Sequence, residues 1–254
     1  MTRVAVARRP AARWTSLIPP AIVTLAVAAG LVGLGVWQLQ RLAWKDALVR
    51  TVEQRTVAPP VPLPPRAEWA ALKPDAYEYC RVAATGTFDH AREVHVYRPL
   101  VSARGPQHGL GDIVLTPFHL ASGGTVIVNR GFVPSERLDP ATRAAGQVAG
   151  PVTITGLMRS PQERNAFTPA DDTARNQWFT ADPAAVARFH GIGDAAPFTV
   201  DEDAGQAPGG LPQGGETVLD FPNSHLQYAL TWFGSALALL GAFGAWAWRQ
   251  VKGT

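Results

Sequence analysis

Two uncharged apolar runs, one near each end, limit what this chain can become. Residues 17–39 and 229–248 contain no Asp, Glu, Lys or Arg. A helix of about 20 apolar residues matches a hydrocarbon core of about 30 Å. Both runs read as transmembrane helices, over residues 17–39 and 223–248. The polar stretch between them, residues 66–222, is long enough for one extramembrane domain. The fold expected is a membrane protein in which two transmembrane α-helices flank a mainly antiparallel, β-rich α+β domain.

Charge follows the same division. The chain has 23 Lys and Arg against 20 Asp and Glu, a formal charge of +3. Arg3, Arg8, Arg9 and Arg13 precede the first run, and Arg249 and Lys252 follow the second. Short basic flanks stay on the cytoplasmic side, whereas long domains cross largely regardless of charge. Both termini, residues 1–16 and 249–254, are expected in the cytoplasm, or in the matrix of a mitochondrion. The middle domain is then periplasmic or its equivalent. Arg41, Lys45 and Arg50 oppose this bias at the first span, so the orientation rests on both ends together. No basic stripe interleaved with aromatics runs through the middle, and no nucleic-acid partner is expected.

The first run exceeds the apolar core of a secretory signal, about 7–15 residues, and passes into Trp37-Gln38-Leu39-Gln40-Arg41-Leu42 without a small-residue cleavage site. A retained anchor is expected. Ala26, Ala29, Gly30 and Gly33, and Gly234, Ala238, Gly241 and Ala245, form overlapping pairs of small residues four apart. Such pairs let helices approach closely in lipid, so the two spans are expected to pack through them. The one cysteine, Cys80, excludes an intramolecular disulfide and a cysteine-pair metal site. It reads as a small residue in a strand.

Residues 40–65 read as a helical extension of the first span followed by a spacer. Leu42, Lys45, Leu48 and Val49 keep a helical spacing, and the prolines of residues 58–65 fix φ and remove donors. Strands are predicted at 79–88, 93–98, 112–120, 125–132, 151–158, 177–180, 197–201 and 217–221. Ala121-Ser122-Gly123-Gly124 marks a hairpin, and Pro117 predicts an edge or a bulge. Residues 183–190 form a helix with Asp182 as its cap, and residues 204–215 a flexible loop. Mostly local strand pairs with few helices suggest an antiparallel sheet or small barrel.

Catalytic patterns are missing: no G-x-S-x-G, no phosphate-binding glycine loop with a following lysine, no H-E-x-x-H. An enzyme is not expected. Asp171-Asp172 and Asp201-Glu202-Asp203 read as solvated loops. His90, His95, His108, His119 and His190 lack ligand spacing, and structural or solvent roles are expected for them.

Three features stand above this background. His225 opens the second span, behind Asn223 and Ser224, either of which can cap the helix. His225, Tyr228 and Trp232 are spaced three and then four residues apart and share a face. Neutral imidazole is a common axial ligand of haem iron, and Tyr228 and Trp232 can supply apolar contacts. The other reading is an interfacial histidine bonded to lipid or loop. In Trp37-Gln38-x-x-Arg41-x-x-Trp44-Lys45, the tryptophans fit an aromatic belt, and Arg41 and Lys45 share a face, for anchoring or for function. In Asn129-Arg130-Gly131-Phe132-Val133-Pro134, Arg130 follows an apolar strand just before a turn. An arginine so held makes either a bidentate pair with a ligand carboxylate or a structural salt bridge.

Taken in order, six pieces resemble the Surfeit-locus-one family of cytochrome oxidase assembly proteins. They are Leu34-Gly35-Val36-Trp37-Gln38-Leu39-Gln40-Arg41-Leu42-Ala43-Trp44-Lys45, Gly86-Thr87-Phe88-Asp89, Leu115-Thr116-Pro117, Val128-Asn129-Arg130-Gly131-Phe132-Val133-Pro134, residues 152–159, and residues 223–233. The one departure is Phe132, where the family usually has tryptophan. The resemblance implies a two-span inner-membrane protein that assists haem–copper oxidase assembly when haem a reaches the catalytic subunit. Its partners would be that subunit and the haem a synthesis machinery, and a homo-oligomer is left open. His225 matches the histidine taken as haem a ligand in some bacterial members, with Arg41 or Arg130 pairing with the propionates. The alternative is a scaffold that holds a nascent oxidase subunit without haem. The arginine- and alanine-rich composition, with no transit peptide recognised, favours a bacterial inner membrane; in a eukaryote the location would be the mitochondrial inner membrane.

Overall fold

The structure, a computed structural model, describes residues 14–252; Arg3, Arg8, Arg9 and Arg13 lie outside the described residues. Among those described are four α-helices, α1 (Ile18–Val57), α2 (Pro74–Tyr77), α3 (Pro183–His190) and α4 (His225–Lys252). Eight strands accompany them: β1 (Val61–Pro62), β2 (Arg81–Phe88), β3 (Val94–Tyr97), β4 (Gly111–Leu120), β5 (Thr125–Pro134), β6 (Val152–Arg159), β7 (Gln177–Trp178) and β8 (Ala195–Glu202). The chain divides into two units, one comprising the residues up to Arg50 and those from Asp220, the other Thr51–Leu219.

In the first unit, α1 carries Pro19 and Pro20 in its opening turn, where a missing N–H costs no helical bond. It runs on without a break to Val57, as the extension predicted, and stops before Pro59-Pro60, whose rings disfavour helix in the residue before them. Both α1 and α4 are long and apolar enough to cross a membrane. On α1, Thr24, Ala28 and Gly35 are buried and Leu31, Gln38 and Leu42 half-buried; on α4, Ala229 and Ala236 are buried and Trp232 and Phe233 half-buried. The alternating steps of three and four residues are the seam of a left-handed helix pair.

The close glycine contact is not where the small-residue pattern placed it. Among the described residues, a Cβ on Gly30, Gly33, Gly234 or Gly241 would meet nothing within 4 Å, whereas one on Gly35 would come within 2.5 Å of the Phe233 ring. Phe233 fills the seam at that level, and the seven-residue repeat turns the other glycines outward.

In the second unit, β2, β6, β8, β5 and β4 pair in that order and β2 pairs back onto β4, so five strands close a barrel. Closure removes sheet edges. β3 extends the sheet from β4, β7 from β3, and β1 lies beside β2. Most pairs are antiparallel, but β5 and β8 run parallel and join residues 125–129 to 195–201. The expectation of mostly local pairs is thus corrected: the crossover through α3 supplies the distance a parallel pair needs.

Pro117 lies at neither an edge nor the bulge. β4 pairs with β3 through residues 112–115 and with β2 through residues 118–120. Pro117 stands where β4 changes partner, and its carbonyl accepts from the Asp89 N–H at 2.9 Å. No ladder bond is lost there. The bulge falls instead between Val114 and Leu115, opposite Arg130.

Alternate strand residues face opposite sides. Val82, Phe88, Phe118, Val128, Ile154, Phe198 and Val200 pack inside the barrel, where Trp69 and Tyr77 join them. Val94, Val96, Ile113, Leu115, Ile127 and Trp178 pack on the other face with Val186 of α3. β5 is therefore apolar on both faces, which is why its sequence shows no alternation. α3 begins as predicted, with Asp182 Oδ1 accepting from the Ala184 N–H at 2.9 Å.

Three further expectations are corrected. Residues 217–221 form no strand; Thr217 instead donates its hydroxyl to Asp201 Oδ2 at 2.8 Å. The 204–215 loop is fastened, because Gln206 bonds both the N–H and the carbonyl of Thr155, and Gln213 exchanges backbone bonds with Phe132. Cys80 lies just before β2 and not in it.

Candidate functional site

The helix pair concentrates its polar contacts at one end. Asn223 Oδ1 accepts from the His225 N–H at 3.3 Å and so caps α4. Asn223 Nδ2 donates to Asp46 Oδ1 at 3.0 Å, and Lys45 Nζ donates to the Pro222 carbonyl. About two turns back along α1, Gln38 Oε1 meets His225 Nδ1 at 2.7 Å. Together these bonds tie α1 to the start of α4.

The last contact decides the chemistry of His225. A glutamine carbonyl oxygen only accepts, so in the neutral ring Nδ1 carries the proton and Nε2 the lone pair. Metal-binding histidines are held in this way, with the second nitrogen donating to an oxygen. The imidazole is half-buried, as is Trp232. At 3.6 residues per turn Trp232 stands about 20° round the helix from His225, nearly in line with it, and Tyr228 about 60° to one side. Tyr228 is 53% exposed and Leu226 52%. Arg41 is exposed on α1, its guanidinium 4.6 Å from the centre of the Trp44 ring. The face shared by Arg41 and Lys45 in the sequence is therefore divided in use. Lys45 ties the two helices, and Arg41 is left as a cation stacked on an aromatic. A hollow of about 590 Å³, lined by Asn223, Ser224, Leu226, Gln227, Leu230 and Thr231, lies on the side of α4 turned away from His225.

Arg130 has surroundings of another kind. It is 1% exposed inside the barrel, with Nη2 donating to the Gly146 carbonyl at 2.9 Å and Nε 3.6 Å from Glu202 Oε2. Its guanidinium lies 4.4 Å from the centre of the Phe88 ring. Of the two partners left open for it by the sequence, a ligand carboxylate and an internal one, Glu202 is the internal one. Gly131 follows at φ +112°, where a Cβ would come within 2.0 Å of the Gln213 carbonyl oxygen. Only glycine fits there.

The acidic run Asp201-Glu202-Asp203 is not the solvated loop expected. Glu202 is 4% exposed, and burial pushes its carboxyl up to about 7 against the pull of Arg130. Asp203 pairs with Arg81 at 2.7 Å, and Asp201 accepts from Asn129 at 2.9 Å. The missed signal was parity. Val200 and Glu202 are two apart on β8 and point to one side, as Val128 and Arg130 do on β5. Gln38 was missed because a single glutamine in an apolar helix carries no spacing pattern.

These features define a class: a membrane protein with two spans whose paired helices enclose a polar layer, carrying a closed β-barrel domain. The SURF1 family model matches residues 25–237. The chain is 39% identical to Surfeit locus protein 1 of Mus musculus over 225 residues, 84% of this chain and 71% of the relative. It is 39% identical to Surfeit locus protein 1 of Homo sapiens over 81% of this chain and 70% of the relative. With a SURF1-like protein of Monosiga brevicollis it shares 38% over 87% and 84%. The chain belongs to the SURF1 family.

Proposed function

We propose that this protein is an assembly factor for a haem–copper terminal oxidase, acting where haem a is passed to the catalytic subunit, with His225 as the iron ligand. Family membership supports the assembly role. The single observation that supports the ligand role is the Gln38–His225 bond, which leaves Nε2 as the free ring nitrogen. Bound haem a supplies a coordination position for an imidazole and carboxylates for a cation.

The residues have separate tasks in this reading. Gln38 holds the ring proton on Nδ1 and fixes the ring plane. Tyr228 and Trp232 offer aromatic surface to a macrocycle. Arg41 offers a charge-assisted bond to a propionate. Arg130 is left out of this reading, because it lies inside the barrel, whose cavity of about 290 Å³ is too small for a macrocycle. The role is that of a holder and not of a catalyst. Its place is an inner membrane, bacterial or mitochondrial, with both termini on the cytoplasmic or matrix side and the haem a synthesis machinery and the oxidase catalytic subunit as partners.

The ties from Lys45, Asp46 and Gln38 to residues 222–225 favour a second reading, in which His225 only fastens the helices and the protein is a haem-free scaffold. Complementation of cells lacking the protein separates the two. His225→Ala, expressed at the wild-type level, yields oxidase depleted of haem a under the first reading. Full oxidase haem content with that variant would support the scaffold.

A further inference from the structure

We propose that the inside of the barrel binds a short-chain aliphatic carboxylate, taken up by the Arg130 guanidinium. The site is independent of the helix layer and of the haem reading.

A cavity of about 290 Å³ opens among β2, β5, β6 and β8, with Phe88, Arg130, Val148, Val152, Ile154 and Glu202 in its wall. Arg130 reaches it as a built group. Leu115 pairs with Asn129 and Val114 with Gly131, which leaves Arg130 as the extra residue of a β-bulge. Bulges re-aim side chains and recur at barrel rims and beside binding sites. Here the bulged residue is an arginine 1% exposed.

Its bonding is incomplete. Nη2 is held by the Gly146 carbonyl; among the described residues Nη1 has no hydrogen-bond partner, and Nε and Glu202 Oε2 face only each other, beyond hydrogen-bond distance. Buried donors are ordinarily paired, and each exception calls for a reason. The same barrel shows what a closed structural pair looks like. Arg143, 3% exposed, bonds Glu93 through both terminal nitrogens, and Glu93 also bonds His95 at 3.0 Å. Arg130 and Glu202 stand apart by comparison, at 3.6 Å.

The wall selects the ligand. Phe88 covers one face of the guanidinium, so an anion meets it at its edge, where Nη1 is unpaired among the described residues. Val148, Val152 and Ile154 offer a short alkyl chain its apolar contacts, beside the polar Thr153 and Gln206, and the volume excludes a bulky one. Glu202 competes for the same cation. The charged and titratable groups that act on Arg130 are Glu202, Glu93 and Arg143; on Glu202 they are Arg130 and Asp203; His90 also senses Arg130. Burial raises Glu202 to about 7, so its competition fades as the pH falls. Carboxylate binding strengthens in the same direction.

The test uses the full-length, haem-free protein in detergent. Acetate and butyrate are titrated against chloride at constant ionic strength, and the thermal midpoint of the barrel is followed at pH 6.5 and pH 8. The expected result is a saturable rise with carboxylate and none with chloride, with half-saturation at several-fold lower concentration at pH 6.5. Glu202→Gln should give the low-pH affinity at both pH values. Val152→Phe, which narrows the cavity without touching the ion pair, should lose the response and keep its midpoint in chloride. Equal midpoints in carboxylate and chloride, for both wild type and Glu202→Gln, would overturn the proposal. So would a response undiminished in Val152→Phe, which would place the anion elsewhere.

Discussion

The helix pair and the barrel handle polar groups in opposite ways. The pair keeps them at one end, exposed or half-buried, joined by single hydrogen bonds between side chains or to one carbonyl. The barrel draws two arginines to 1% and 3% exposure and sets glutamates against them. In the barrel a charge removed strands its partner without water. In the helix layer a group removed leaves a partner that water can reach. Residues at the helix layer are therefore free to be chosen for what they bind, and much of the barrel's polar interior is fixed by its own folding.

The sharpest way to break this contrast is to remove a barrel charge. Arg143→Ala leaves Glu93 buried without its bidentate partner and with the His95 bond remaining, and a stranded buried charge costs about 3–5 kcal/mol. Denaturant titration of the purified protein should show that loss in the barrel transition, while His225→Ala leaves it unmoved. An equal effect from both would end the distinction.

Acidity offers the next test. Glu202 is raised to about 7 from an ordinary value of about 4.3, so the folded state favours its protonated form. Its contribution is fully favourable below about pH 4.3 and is lost as the pH rises through about 7, on the order of 2–4 kcal/mol before discounting its coupling to Arg130. Glu93 acts in the opposite sense. Burial tends to raise it, but its bonds to His95 and Arg143 hold it below its ordinary value, so its contribution is lost in strong acid. Between pH 5 and pH 8 only Glu202 changes of the two, and Glu202→Gln should flatten the slope measured over that range.

Gly131→Ala probes the turn that follows Arg130. A positive φ and a Cβ against the Gln213 carbonyl predict a loss of about 1–3 kcal/mol in the same titration. Gln38→Leu is the mildest change. Loss of one hydrogen bond should cost the helix pair about 1 kcal/mol, yet with the ring proton free to take either nitrogen the haem retained on purification should fall several-fold. A loss of helix stability with full haem retention would reduce Gln38 to a fastener.

Much of this was legible in the sequence, and most of the failures share a cause. The spans, the unbroken extension of α1, the α3 cap and most strands follow from charge-free length, short periodicities and capping residues, all local signals. The barrel's closure was not, because β2 meets β6 and β5 meets β8 across distances that no local pattern records. Glu202 differs: its parity with Val200 on β8 was a local signal, and only its partner Arg130 lies far off in sequence. The small-residue pairs misled because they state which faces could meet, and Phe233 against Gly35 settled which did. His225 was found by its position beside a span; its orienting partner lies 187 residues away and had no signal.

The most direct test is an absorption spectrum of the protein purified from cells that make haem a, beside His225→Ala prepared identically. Ligation by His225 predicts a reduced haem a band in the wild type that is absent from the variant, with both barrels equally stable. A band retained in the variant, or none in either despite available haem a, would contradict it.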